Sequence, residues 1–239
     1  MTILVMGASS DMGIALIDYI ASNYDFIIAH YYHMNDKLMA LKETYGERIS
    51  LVQADLSSDE QMTRFATHVS SLKPSPCHLV HFPAQKIKVR KFEKIEWEVF
   101  EEEVRISVKS LVIVLKNILP QMVKEKHGRV VVMLSDAIVG TPPKYSADYI
   151  TTKHALLGLT KALSVEYADK GITINGVSPS FTETRFVEGM ADYFREDHKN
   201  RSPIGRNLVP QDIIPTIAML LSEEAACING QNISINCGR

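Results

Sequence analysis

The stretch Gly128–Ser180, GRVVVMLSDAIVGTPPKYSADYITTKHALLGLTKALSVEYADKGITINGVSPS, decides the fold because it reads as strand, loop, helix, strand. Arg129 to Leu134 is short, apolar and rich in β-branched residues, as a strand buried on both faces must be. It runs into Ser135. Ala147 to Tyr167 carries Ile150, Leu157, Leu163 and Val165 at helical spacing and is closed by Gly171, after which Ile172 to Val177 returns as a strand. Tyr149 and Lys153 stand four apart in that helix, so both project from one face, beside the loop after Ser135.

A phenol and an ammonium in one small space suggest proton transfer. A phenol near pKa 10 donates poorly at neutral pH, and a neighbouring positive charge lowers that value by favouring the phenolate. The pair is therefore expected to protonate a carbonyl oxygen that receives hydride. Y-x-x-x-K alone is a weak signal, since two exposed helix residues would read the same way. Its place after a buried strand ending in Ser, and before one ending in Ser178-Pro179, makes it specific.

With 239 residues, 46% apolar and 23% charged, the chain can bury one large α/β core. A net charge of −2 lacks the basic excess that nucleic acid or an anionic membrane requires, so neither partner is expected. Cys77, Cys227 and Cys237 form no CxxC pair and are odd in number, which supports neither a disulfide framework nor a zinc site and suits a reducing cytoplasm. Met1 leads directly into a strand, and no apolar run reads as a membrane span, so a soluble cytoplasmic protein is expected.

From the start of the chain, the apolar strand Thr2 to Met6 runs into GASSDMGIALIDYIASN. A glycine-opened helix N-terminus offers free N–H groups and the positive end of the helix dipole to a pyrophosphate, although Gly7 and Gly13 also suit a plain tight turn. Further strands are expected at Phe26 to Tyr31, Arg48 to Val52, His78 to His81 and Asn232 to Asn236. Helices are expected at Ser10 to Asn23, Asp36 to Tyr45, Asp59 to Leu72, Lys94 to Lys126 and Pro210 to Leu221. This alternation predicts a single-domain, Rossmann-type doubly wound parallel sheet of about seven strands with helices on both faces. Pro120 is expected to end or kink the long helical tract, and Glu101-Glu102-Glu103 reads as a solvated face. Residues 180–207 lose regular periodicity and read as a mobile lid over a pocket.

Gly7-Ala8-Ser9-Ser10 with Gly13, Asp55-Leu56, Ser135, Tyr149-x-x-x-Lys153, Ser178-Pro179 and Gly230-Gln231 together resemble the short-chain dehydrogenase/reductase family over essentially the whole chain. Length and the Gly128–Val177 segment resemble most its 3-oxoacyl-carrier-protein reductases. The resemblance implies a nicotinamide cofactor, NADP or NAD, across the carboxyl ends of the strands, and a small carbonyl or alcohol substrate. It implies Tyr149 as acid or base, Lys153 lowering its pKa and holding the ribose, and Ser135 bonding the substrate oxygen. Cofactor contacts are implied for Gly7, Ser9, Ser10, Asp11, Met12, Gly13, Tyr32, His33, Asp55, Leu56, Pro83, Ala84, Pro179, Ser180 and Thr182, besides Tyr149 and Lys153. Family members commonly form dimers and tetramers through helices matching Lys94 to Gln121 and Ala147 to Tyr167, and the apolar run at Leu111, Val112, Val114, Leu115 and Ile118 suits a homotetramer or homodimer.

Several positions depart from the family pattern. Asp11 replaces the middle glycine of the loop, where a carboxylate either opposes pyrophosphate or caps the helix; the cap is the expectation. His81-Phe82-Pro83-Ala84 replaces the usual Asn-Asn-Ala-Gly, and Ser107 falls where the family's relay asparagine is expected. Ser180 replaces a glycine. Ser135 stands fourteen residues before Tyr149, one more than usual, so Ser135 and Asp136 compete for the substrate-facing position. Ser135 is preferred because an ionised Asp136 would oppose developing negative charge. The end of the second strand, HYYHMND, carries no clear acidic or basic selector; His33 is part-time positive and Asp36 comes late, which leans to NADP. A rival reading is a dinucleotide binder without turnover, resting on Asp11, Pro83 and Ser107. A methyltransferase on a related sheet would have no need of Tyr149 and Lys153.

Overall fold

The computed structural model describes residues 1–238. Seven parallel strands form one sheet: β1 (Thr2–Met6), β2 (Phe26–Tyr31), β3 (Ile49–Gln53), β4 (His78–His81), β5 (Gly128–Met133), β6 (Ile172–Pro179) and β7 (Asn232–Ile235). Their order is β3-β2-β1-β4-β5-β6-β7. The chain therefore reverses its winding between β1 and β4, and the crevice above their carboxyl ends is where ligands bind in such sheets.

Eight helices cover the two faces: α1 (Asp11–Ile20), α2 (Asp36–Tyr45), α3 (Asp59–Ser71), α4 (Trp97–Val104), α5 (Ser110–Glu125), α6 (Ala147–Glu166), α7 (Asp192–Arg201) and α8 (Pro210–Leu221). Alternate side chains of each strand enter different cores. Leu4, Val130 and Val132 pack with Met62 and Phe65 of α3, Leu115 of α5 and Leu156 of α6. Ile3, Val5 and Val131 pack on the other face with Leu16 of α1, Leu38 of α2 and Ile213 of α8. The near-continuous apolar strands are thus explained by burial on both sides.

The tract expected as one helix kinked at Pro120 is built differently. Pro120 is exposed inside an unbroken α5, and the irregularity lies earlier, in a single π turn, Arg105–Lys109, between α4 and α5. Such turns carry an extra residue per turn and recur at functional sites. The continuous tract Trp97–Glu125 spans 29 residues and contains an 18-residue window of mean hydropathy 1.4, which by length and composition alone is enough to cross a membrane. Its Leu111, Val114, Leu115, Ile118 and Met122 are instead buried against the sheet. The acidic run is not wholly solvated either: Glu101 and Glu102 are exposed, whereas Glu103 is only 4% exposed.

Candidate active site

Above β1 and β4, the glycine-rich loop is held by a histidine that sequence reading passed over. His30, on β2, accepts a hydrogen bond from the Gly7 N–H at 3.1 Å through Nδ1 and meets the Ala54 carbonyl at 3.2 Å through Nε2. This arrangement places the ring proton on Nε2 and requires a neutral ring. Burial lowers the His30 pKa to about 4, which keeps it so. Gly7 has φ +78°, and a Cβ there would stand 3.2 Å from Phe82 Cβ, so Phe82-Pro83 lies directly against the loop. At Gly13 a Cβ would fall 2.5 Å from the Gly7 carbonyl oxygen, which is why α1 can press onto the loop only through glycine.

Ser10, not Asp11, caps α1: its hydroxyl accepts from the Gly13 N–H at 3.0 Å. The expected cap at Asp11 is thereby corrected. Asp11 turns to Arg185, accepting from its backbone N–H at 2.7 Å and its Nε at 3.0 Å. The same guanidinium donates to the Ser9 carbonyl at 2.6 Å, which also accepts from Asn35 at 2.8 Å. The backbone N–H groups of Ser9, Asp11 and Met12 have no partner among the described residues. They form a donor cluster at a helix N-terminus, and this fits a dinucleotide pyrophosphate.

Around this loop, Tyr32 and His33 are exposed at the end of β2 with ring centroids 3.9 Å apart. Asp55 is turned onto its own loop, accepting from the Ser57 N–H at 2.8 Å and hydroxyl at 2.7 Å, while Leu56 enters the core. Pro83 is buried and Ala84 half-buried beyond β4. Pro179 ends β6, Ser180 donates its N–H to the Ile235 carbonyl at 2.9 Å, and Thr182 bridges to Leu208.

On the other side of the crevice, Tyr149 and Lys153 of α6 come together with Ser135. The Ser135 side chain lies close enough to the Tyr149 hydroxyl to favour its ionised form. Lys153 Nζ lies 5.6 Å from the centre of the Tyr149 ring and donates to the Met133 carbonyl at 2.8 Å. Asp136 points elsewhere and accepts from Asn236 at 3.1 Å. Phe186 brings its ring within 6.3 Å of Tyr149, so residues 180–207 reach both the glycine loop and the tyrosine.

The electrostatics differ from the sequence expectation. Burial raises the Tyr149 pKa to about 12, with the Ser135 side chain opposing the rise and the charge of Glu103 adding to it. Burial also lowers Lys153 to about 8, against the upward pull of Glu103. Ser107 is fully buried in the π turn and donates to Glu103 Oε1 at 3.1 Å. His81, at the end of β4, contacts Ser110 at 3.3 Å and is kept neutral by burial, with its pKa lowered to about 3. At the opposite, amino-terminal end of the strands, Tyr24, His78 and His127 form a hydrogen-bonded chain at 2.6 and 3.0 Å beside the free thiol of Cys77.

Comparison with known proteins agrees with this geometry. The family model described as enoyl-(acyl carrier protein) reductase matches residues 7–239. The chain is 26% identical over 238 residues to a 3-oxoacyl-[acyl-carrier-protein] reductase of Rickettsia prowazekii, covering 99% of this chain and 95% of that one. It is 27% identical over 241 residues to the reductase of the same name from Aquifex aeolicus, covering 98% and 95%. A solved structure of a gluconate 5-dehydrogenase-like protein from Beutenbergia cavernae superimposes with TM-score 0.90 at 24% identity, over 99% and 95% of the two chains. Sheet order, glycine loop and Tyr149/Lys153 helix thus agree with the sequence match, and the chain belongs to the short-chain dehydrogenase/reductase family of oxidoreductases.

Proposed function

We propose that this protein is an NAD(P)-dependent reductase of a carbonyl group, with a 3-oxoacyl thioester as the preferred substrate class. The observation that carries the reading is the convergence of Ser135, Tyr149 and Lys153 at the crevice that begins at the free N–H groups of Ser9, Asp11 and Met12. When bound, the reduced nicotinamide supplies hydride to the carbonyl carbon. Tyr149 gives its hydroxyl proton to the carbonyl oxygen, Ser135 donates a hydrogen bond to that oxygen, and Lys153 holds positive charge beside the ring as the phenolate forms.

An acyl chain finds apolar room next to this group. A cavity of about 350 Å³ is lined by Phe92, Pro142, Pro143, Tyr145 and Ile150, one residue along α6 from Tyr149. Residues 180–207 act as the lid, with Arg185 at the loop and Phe186 at the tyrosine. NADP is favoured over NAD because no carboxylate on HYYHMND is placed for the ribose hydroxyls before Asp36, which starts α2; the Beutenbergia structure carries NADP. The non-catalytic reading loses its main support at Asp11, whose charge is answered by Arg185.

A cytoplasmic location accords with three free cysteines, two of them exposed. Assembly through α5 and α6 rests on Val112 and Val165, because Leu111, Ile113, Val114, Leu115 and Ile118 are taken up by the chain's own core. Following NADPH and NADH fluorescence on titration, then oxidation of the tighter binder with acetoacetyl thioester, tests the function. Binding of NADPH with turnover supports it; absence of binding to either dinucleotide refutes it.

A further inference from the structure

Glu103 is a buried carboxylate with no counterpart in the expected chemistry. It sits at the end of α4, one turn before the π turn that carries Ser107, and its two oxygens are both engaged: Oε1 accepts from the Ser107 hydroxyl at 3.1 Å and Oε2 from the Gln85 N–H at 3.1 Å. Neither partner is a cation, so the structure holds a nearly solvent-free carboxyl group without an ion pair, an arrangement that costs stability unless it serves something. Beside it lies a cavity of about 10 Å³, the room one water needs, lined by Gln85, Lys86, Lys88, Glu103, Asp148 and Tyr149. Glu103 thus stands between the Tyr149 side of the site and a path outward along the loop after β4.

We propose that Glu103 is the positioning and relay group through which Lys153 exchanges protons with solvent, by way of the Ser107 hydroxyl and the water-sized cavity. The proposal rests on the assignment of Tyr149 and Lys153 as the proton-donating pair. Each reduction removes one proton from that pair, and one must return. In the return step the O–H bond of a protonated Glu103 breaks and an N–H bond of the Lys153 amine forms; the carboxylate then takes a proton from water in the cavity. No electrons are transferred.

The surrounding charges suit this task. Facing Glu103 are Lys153, Asp148 and Tyr149 from α6 and Lys86 and Lys88 from the loop after β4. Burial raises the Glu103 pKa, with Lys153, the Gln85 N–H and the Ser107 hydroxyl opposing the rise, while Lys153 itself is lowered to about 8. Donor and acceptor values are thereby brought toward one another and toward neutral pH, as proton transfer requires.

Glu103→Gln keeps the shape and one accepting oxygen for the Gln85 N–H, turns the other position into an N–H₂ that donates to the Ser107 hydroxyl, and removes the transferable proton. In the ligand-free protein, the Lys153 ¹³Cε resonance is expected to titrate at least one pH unit lower in Glu103→Gln than in wild type, because the carboxylate no longer supports the ammonium. With substrate and NADPH, kcat of Glu103→Gln is expected to fall ten-fold or more with KM for NADPH unchanged. Glu103→Asp should recover part of the loss, and formate should partly rescue Glu103→Ala. An unshifted Lys153 titration together with a wild-type pH profile of kcat in Glu103→Gln would overturn the proposal. Turnover in Tyr149→Phe equal to wild type would instead remove the reading on which it rests.

Discussion

Arg185 and Asp11 lie 174 positions apart in sequence, yet the guanidinium Nε stands 3.0 Å from the carboxylate and the Arg185 N–H 2.7 Å from its second oxygen. This pair straps residues 180–207 to the glycine loop and, with Lys37 4.0 Å away, answers the charge of Asp11 at its mouth. Arg185→Ala leaves Asp11, where a pyrophosphate binds, with only the exposed Lys37 ammonium 4.0 Å away as a cationic partner, and is expected to raise the NADPH dissociation constant ~10-fold. Asp11→Asn alone should stay near wild type, and the double variant should bind more tightly than Arg185→Ala, a coupling that a fluorescence-titration cycle measures. Wild-type affinity in Arg185→Ala would contradict this.

Acid should destabilise the fold before its carboxylates titrate. Burial holds His30 at about 4 and His78 and His81 at about 3, all below the ordinary 6.5. Their folded pKa values are depressed, so the unfolded chain binds protons first as pH falls below about 6.5, and stability is full above that and lost down towards pH 4. Each histidine costs about 1.4 kcal/mol per pH unit in this window, so up to about 4 kcal/mol is expected to be lost between pH 7.5 and 5.5. Urea midpoints at the two pH values check it, and equal midpoints would count against three neutral histidines.

Ser135 and Asp136 should differ sharply on substitution. Ser135 lies beside the Tyr149 hydroxyl, whereas Asp136 accepts from Asn236. Ser135→Ala is expected to lower kcat by ~10- to 100-fold, about 1–3 kcal/mol, and Asp136→Asn by less than about two-fold. An inactive Asp136→Asn beside an active Ser135→Ala would reverse the roles.

Association provides a further check. Light scattering at micromolar concentration is expected to give four times the chain mass of 26.8 kDa. Val165, 80% exposed on α6, is the position where a charge should interfere, so Val165→Arg should lower the mass without lowering the melting temperature of the chain by more than a few degrees. A monomeric wild type would refute the assembly.

Much of this architecture is legible in the sequence because parallel strands buried on both faces write themselves as apolar β-branched runs. The β1, β2 and β4 bounds follow directly from that patterning, and those of α2 from helical spacing. The elements that escaped reading depend on contacts between distant segments. His30 gains its meaning only when β2 and the end of β3 flank Gly7, and Arg185 only when residues 180–207 fold over α1. Glu103 reads as part of a charged surface in a Glu-Glu-Glu run, and periodicity at 3.6 residues cannot report the extra residue in the π turn that follows it. The expected lowering of the Tyr149 pKa failed for a related reason: spacing places Lys153 near the ring but does not reveal how dry the site is.

The central claim is that Tyr149 is the proton donor. Its most direct test is kcat of Tyr149→Phe measured beside the NADPH dissociation constant and the melting temperature. The account predicts a loss of ~10²-fold or more in kcat with binding and melting unchanged, since only a hydroxyl on a helix face is removed. Turnover at the wild-type rate in that variant would contradict it.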